Sequence, residues 1–281
     1  MIINVAKSAG FCFGVKRAIK IAFETSKAKH HVYMLGDIVH NEDVVKLIHS
    51  IGIKKINALT KGKDKTLLIR AHGASKKIHK KALSLGYEIV DATCPMVKEI
   101  HRTAVNAEND GYSIIVIGDK KHSEVLGIVG QLKRKSIVID NIENLPIKAI
   151  KKLKKVAVIV QSTQNIETVL KILKEIRKHI KNVKFFNTIC RTTRIKQEDI
   201  KKMPRENDIM LIIGSKTSAN TKRLYEISKS LNARSYWIQS LKDLKRKWFK
   251  DAESVGITAG ASTPENTTSS VVEYINKKFV D

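Results

Sequence analysis

The chain has 281 residues, 42% of them hydrophobic and 28% charged, ordinary for a globular protein and enough for about two or three domains. No apolar run approaches the ~20 residues a membrane span needs, and no export signal opens the chain. Cysteine occurs only 3 times, widely spaced, which argues against a disulfide framework and for a reducing, cytoplasmic compartment. The formal net charge of +26 raises nucleic-acid binding. The lysines, however, recur at helical spacing, as in Lys76-Lys77 with Lys80-Lys81 and Lys171 with Lys174 and Lys178, and read as solvated helix faces. Aromatics make up only 5%, and no nucleic-acid-binding motif is present.

Apolar β-branched runs alternate with amphipathic runs from end to end, the pattern of an α/β fold with buried parallel strands. A strand over 2–6 leads to Cys12 and a helix over 14–28. Strands over 32–36 and 66–70 lead to His40-Asn41 and Ala71-His72-Gly73, with helices over 41–50 and 75–84. A strand over 87–91 leads to Cys94 and a helix over 96–109. The order then repeats. Strands over 112–118 and 156–160 lead to His122-Ser123-Glu124 and Gln161-Ser162-Thr163, with helices over 123–132 and 165–180. A strand over 183–188 leads to Cys190 and a helix over 192–202, and Asn141 to Lys155 reads as a surface loop. In the last third, strands over 208–214, 234–238 and 254–258 alternate with helices over 218–231, 241–249 and 264–278. Ser218, Asn220 and Ser262 lie at the tips there, but no cysteine does, and the N-terminal strand with Cys12 supplies one. The predicted architecture is three similar α/β lobes in pseudo-threefold arrangement: 13–94, 95–190 and 191–281, with residues 1–12 completing the third.

Strand tips of open α/β sheets are where ligands bind. Three thiolates there can hold a metal. Structural zinc takes four ligands, usually in local Cys-x-x-Cys pairs, which this chain lacks. An iron–sulfur cluster usually takes four cysteines, so three leave one iron of a four-iron cluster open to substrate as a Lewis acid. The plainer reading is three buried cysteines with no joint role. His40, His72 and His122, with Ser215, Ser218, Asn220 and Ser262, suit an anion held at helix N-termini, although Ser and Asn there also serve as simple caps. Glu124, with the hydroxyls of Ser162 and Thr163, forms a carboxylate–hydroxyl set fit for proton delivery, or is merely a first-turn helix acid. The remaining histidines, His101 among them, read as surface or packing residues. Walker, dinucleotide, nucleophile-elbow and His-Glu-x-x-His motifs are absent.

Gly10-Phe11-Cys12-Phe13-Gly14-Val15, Val39-His40-Asn41, Ala71-His72-Gly73, Asp91-Ala92-Thr93-Cys94-Pro95 and His122-Ser123-Glu124 stand in this order. Gln161-Ser162-Thr163, Thr188-Ile189-Cys190, Gly214-Ser215-Lys216 and Thr258-Ala259-Gly260-Ala261-Ser262 follow. Together they resemble the 4-hydroxy-3-methylbut-2-enyl diphosphate reductase family, of the methylerythritol phosphate route to isoprenoids, over essentially the whole chain.

That resemblance implies three lobes around a central [4Fe–4S] cluster, one per chain, held by Cys12, Cys94 and Cys190. It implies that His40, His72, His122, Ser162, Ser218, Asn220 and Ser262 bind an allylic diphosphate. Glu124, with Ser162 and His122, would serve catalysis, and the unique iron would take the substrate's allylic oxygen. Two electrons and two protons would expel water and give isopentenyl or dimethylallyl diphosphate. The electrons would come from a ferredoxin- or flavodoxin-type donor, and a monomeric chain is expected. Three positions depart from the family's usual residues: Ser162 replaces Thr, Ala219 stands beside Ser218, and Lys196 replaces Arg, whose planar two-point contact Lys cannot make. Two other readings compete, a basic nucleic-acid-binding α/β protein without a cluster and a metal-free enzyme acting on phosphate esters.

Overall fold

The computed structural model describes residues 1–280; Asp281, the end of the expected third lobe, lies outside the described residues. Twelve strands form among them: β1 (Ile2–Val5), β2 (Val32–Leu35), β3 (Lys54–Ile56), β4 (Thr66–Ile69), β5 (Glu88–Asp91) and β6 (Ser113–Ile117), then β7 (Ile137–Ile139), β8 (Lys155–Val160), β9 (Asn182–Phe186), β10 (Ile209–Ile213), β11 (Ser235–Ile238) and β12 (Ser254–Ala259). They pair in parallel into three four-stranded sheets, ordered β3-β2-β4-β5, β7-β6-β8-β9 and β1-β12-β10-β11. Each sheet follows one plan: the second strand in chain order lies at an edge, followed by the first, third and fourth. In the last sheet the fourth strand is β1, where Ile2 registers with Ser254 and Val5 with Ile257. The protein thus consists of three parallel-sheet α/β lobes.

The helices are α1 (Phe13–Ala28), α2 (Glu42–Ser50), α3 (Lys76–Ser84), α4 (Pro95–Asn109), α5 (Ser123–Val129), α6 (Ile147–Ile150), α7 (Ile166–Arg177), α8 (Arg191–Glu206), α9 (Ala219–Leu231) and α10 (Glu265–Ile275). None is long and apolar enough to cross a membrane among the described residues. The chain divides into two compact units. One comprises Met1–Lys16, Val39–Lys46 and Arg191–Asp281 and holds the sheet completed by β1; the other comprises Arg17–Ile38 and Leu47–Cys190 and holds the other two sheets.

Burial explains the continuous apolar strands. In the larger unit, Ile115, Val156, Val158 and Val160 face Val169, Ile172, Leu173 and Ile176 of α7. The alternate residues Ile114, Val116, Ala157 and Ile159 face Ile100, Ala104 and Ala107 of α4. A central strand covered on both faces has no solvent side, so Ile114 to Ile117 and Val156 to Val160 are apolar without a break. Each Val or Ile so buried contributes about 1.5–3 kcal/mol. Asn165 sets where α7 starts, its Oδ1 accepting the Glu167 N–H at 2.8 Å, and the apolar i, i+3, i+4, i+7 stripe sets its buried face. The smaller unit is built likewise: Leu211 and Ile213 pack with Val271 and Ile275 of α10, while Met210 and Ile212 pack with Ile200 of α8 and Leu224 of α9.

The structure corrects several predicted elements. β3 and β7 are additional short edge strands; Lys54-Lys55 gives β3 no apolar signal to read. The stretch from Asn141 to Lys155, read as loop, contains the single turn α6, anchored by fully buried Ile150, and reaches the start of β8. The helix expected over 241–249 is two 3₁₀ turns, Leu241–Asp243 and Arg246–Phe249. There the Asp243 carboxylate turns back to accept the Gln239 and Ser240 N–H groups, closing the first turn, and Leu244 is extended. α8 continues to Glu206 through Pro204, and α10 ends at Ile275, followed by a π-helical turn, Asn276–Val280.

Candidate functional site

In the larger unit the strand tips are tied to one another by named bonds. The Cys94 N–H donates to the Ala71 carbonyl at 3.0 Å, fastening the tip beyond β5 to the one beyond β4 that carries His72. The Cys190 N–H donates to the Ser162 carbonyl at 3.1 Å, fastening the tip beyond β9 to that beyond β8. Ser162 in turn clasps Glu124: its N–H donates to Oε1 at 2.6 Å and its hydroxyl to Oε2 at 2.7 Å. The fully buried Gln161 braces this arrangement, its carbonyl oxygen taking the Asp119 N–H at 2.8 Å and its amide reaching Thr163 Oγ1 at 3.0 Å. The His72 and His122 rings meet edge to face with centroids 5.4 Å apart. Six of the residues singled out from the sequence, His72, Cys94, His122, Glu124, Ser162 and Cys190, therefore belong to one bonded neighbourhood.

Its electrostatics are distinctive. Glu124 is 2% exposed, and burial pushes its carboxyl above the usual carboxylate range, with Asp119 adding to the push and the Ser162 bonds opposing it. Burial likewise raises the Cys94 thiol, against the backbone N–H groups of Met96 and Val97; the charges of Cys190 and Glu124 raise it further. His122 caps α5, its Nδ1 accepting the Glu124 N–H at 3.1 Å, which leaves Nε2 to carry the proton of the neutral ring.

The Cys94 tip has supports that the sequence reading does not single out. The Asp91 carboxylate accepts the Thr93 N–H at 2.9 Å, the Thr93 hydroxyl and the Lys98 ammonium at 2.6 Å. Burial opposes the Asp91 charge, but these donors outweigh it and hold the carboxyl below its ordinary range. Arg17 Nη1 donates to the Thr93 carbonyl at 3.2 Å. The Asp-x-Thr turn signal was legible; the partnership with Arg17, 76 residues away, was not. Behind this tip lies an open cleft of about 370 Å³ lined by Lys76, Lys80, Lys98 and His101 among others. His101 packs as the sequence suggested. A Cβ on Gly73, whose φ is +77°, would come within 2.9 Å of its ring, and burial pushes its imidazole down to about 4, so it is neutral at pH 7.

In the smaller unit, Cys12 stands at the mouth of α1. Its N–H donates to the Ala261 carbonyl at 3.0 Å and its Sγ accepts the Val15 N–H at 3.4 Å. Ser262 donates its hydroxyl to the His40 carbonyl at 2.9 Å. Asn41 caps α2 through Oδ1, and Ser215 bonds Glu42 at 2.8 Å. Ser218 caps α9, its Oγ accepting the Thr221 N–H at 3.3 Å. Asn220 is 5% exposed and its Nδ2 has no hydrogen-bond partner. A buried amide donor without a partner in the protein is costly.

Residues 3–276 match the protein family described as LytB protein. The chain is a member of this family. The 4-hydroxy-3-methylbut-2-enyl diphosphate reductase of Aquifex aeolicus (strain VF5) is 40% identical over 267 residues, covering 94% of this chain and 92% of that one. The protein of the same name from Campylobacter hominis is 40% identical over 278 residues, covering 98% and 99%. Among solved structures, (E)-4-hydroxy-3-methyl-but-2-enyl diphosphate reductase, the terminal enzyme of the non-mevalonate pathway, matches with TM-score 0.72 and 39% identity over 99% of this chain and 100% of that one. The E-1-hydroxy-2-methyl-but-2-enyl-4-diphosphate reductase of Plasmodium falciparum matches with TM-score 0.90 and 27% identity, covering 99% and 89%. The LytB family membership therefore rests on sequence and fold together.

Proposed function

We propose that this chain is an iron–sulfur oxidoreductase that removes the hydroxyl of 4-hydroxy-3-methylbut-2-enyl diphosphate reductively, giving isopentenyl and dimethylallyl diphosphate. The observation that carries the proposal is the buried Glu124 carboxyl, held above the usual carboxylate range by burial and clasped by Ser162 in the same bonded neighbourhood as Cys94 and Cys190. The balance of the reaction needs two electrons and two protons: the C–O bond breaks, the oxygen leaves as water, and one end of the resulting allyl unit gains a hydrogen, the carbon that lost oxygen for dimethylallyl diphosphate or the far carbon, with the double bond shifted, for isopentenyl diphosphate. Glu124 is the proton source, and the Ser162 hydroxyl orients it.

The donor set suits a [4Fe–4S] cluster. Cys12, Cys94 and Cys190 are soft, half-buried sulfur ligands, and each stands at the start of a helix. Backbone N–H groups are directed at Cys12 and Cys94; such bonds favour thiolate, at Cys94 against the burial that raises its thiol, and tune cluster potential. When bound, the cluster supplies the electrons and a Lewis-acidic iron. His40, His72, His122, Ser218, Asn220 and Ser262 take the diphosphate; His122 offers Nε2–H, and Asn220 offers its unpaired Nδ2. Asn220→Ala should raise KM about 10- to 100-fold with a smaller change in kcat, because it deletes one hydrogen bond to a charged group. An unchanged KM would remove Asn220 from the substrate set.

The electron donor we infer is an acidic ferredoxin- or flavodoxin-type protein. The net charge of +26 and the lysine-lined cleft behind Thr93 favour such a partner. Turnover with that donor should fall steeply as salt rises, while turnover with a small-molecule reductant should not; a salt-independent rate with the protein donor counts against docking by charge. The direct test of the activity is anaerobic turnover of the iron-reconstituted protein with the allylic diphosphate. Formation of both diphosphate products supports the reading, and no iron uptake or no product overturns it. The alternative of a basic nucleic-acid-binding protein has no support in the family match or in the relatives described above.

A further inference from the structure

Lys196 is fully buried on α8, and its ammonium donates to three main-chain carbonyls of the smaller unit: Ser8, Gly10 at 3.1 Å and Ala259 at 2.9 Å. Two of these lie on the segment that runs from β1 into Cys12. The third ends β12, two residues before Ala261, whose own carbonyl accepts the Cys12 N–H. One side chain thus joins both walls of the turn that presents Cys12. A second bond from the same helix helps, since the Ser8 hydroxyl donates to Asp199 at 2.6 Å.

A buried ammonium is expensive unless its donors are met, and a compact group with three rotatable N–H donors can serve three carbonyls converging from different directions. Gly10 has φ of +92°, so the segment Lys196 holds is one that most residues could not follow. Where Arg would offer a planar fork, Lys196 meets the three carbonyls with separate donors of one ammonium.

We propose that Lys196 is a positioning residue for Cys12: it clamps the Ser8–Gly10 segment to the end of β12 and so fixes where the Cys12 sulfur is presented. As a statement about cluster binding, this rests on the ligand role of Cys12 given above; as a statement about the Cys12 turn, it does not.

The test is residue-resolved alkylation of the apoprotein of wild type and Lys196→Met, with rates taken on the alkaline plateau where all three thiols are ionised. Cys12 should react several-fold faster in the variant while Cys94 and Cys190 keep their rates. After reconstitution the variant should lose iron faster, and its electron paramagnetic resonance signal should shift or broaden. An unchanged Cys12 rate, or an equal rise at all three cysteines, overturns the proposal. Should Lys196→Met fail to fold, Lys196→Gln keeps two amide donors and is expected to give a smaller rise confined to Cys12; no such rise again overturns it. If wild type takes up no cluster, the functional reading fails, while the alkylation result still decides the role of Lys196.

Discussion

Glu124→Gln is expected to bind its cluster as wild type does and to lose turnover by about 10²–10⁴-fold, the usual worth of a positioned general acid. The amide preserves shape and both local bonds: its oxygen accepts the Ser162 N–H in place of Oε1, and its nitrogen meets the Ser162 hydroxyl in place of Oε2. What disappears is the transferable proton. Retention of turnover within a few-fold would remove Glu124 from the mechanism.

The same residue sets a pH dependence whose direction is fixed by burial. Its folded carboxyl titrates above the unfolded value of about 4.3, because ionisation would place a charge where water cannot reach. Its contribution to stability is therefore complete below that unfolded value and is lost as pH rises through the raised folded one. Wild type should lose melting temperature over that interval relative to Glu124→Gln, which has nothing to ionise. The kcat/KM of wild type should fall over the same rise, as the acid becomes a carboxylate. A variant that tracks wild type in both measurements would show that Glu124 titrates normally.

What could be read beforehand was what repeats. Long β-branched runs such as Val156 to Val160 declare buried strands, and the polar residues that follow them declare tips, so the three-lobe plan and the tip residues were legible. β3 and β7 were not: each is only three residues long, Lys54-Lys55 leaves β3 without an apolar run, and Ile137-Val138-Ile139 is too short for its periodicity to mark a strand. The helix expected over 241–249 failed through a local bond, the Asp243 side chain folding back on the Gln239 and Ser240 N–H groups in place of a second helical turn. The supports of the site were hidden for a different reason. Arg17 to Thr93, Lys196 to Ser8 and Ser262 to His40 join residues far apart in sequence, and a single sequence carries no sign of which distant carbonyl a donor will find. The candidate site residues could be read because they cluster in short motifs, whereas the residues that hold them in place announce themselves only in three dimensions.

Cys94→Ser should separate the proposed chemistry from its metal-free rival with the least structural disturbance. Cys94 is the N-cap of α4, with Pro95 at the first helical position, and serine is among the favoured caps. The Cys94 N–H bond to Ala71 and the Asp91–Thr93 turn do not involve the thiol and should persist. The melting temperature of the apoprotein should therefore stay level or rise slightly. Iron retention has no such compensation, since a hydroxyl is a hard, poorly ionised donor where a soft thiolate is required. Loss of groups that merely hold a metal ligand in place costs about 10- to 100-fold, so loss of a ligand should lower turnover by at least about 100-fold. An intact fold with little iron and little turnover ties Cys94 to the cluster. Full turnover in Cys94→Ser would instead favour an enzyme that grips a phosphate ester through His72, His122 and the serine tips and has no use for sulfur.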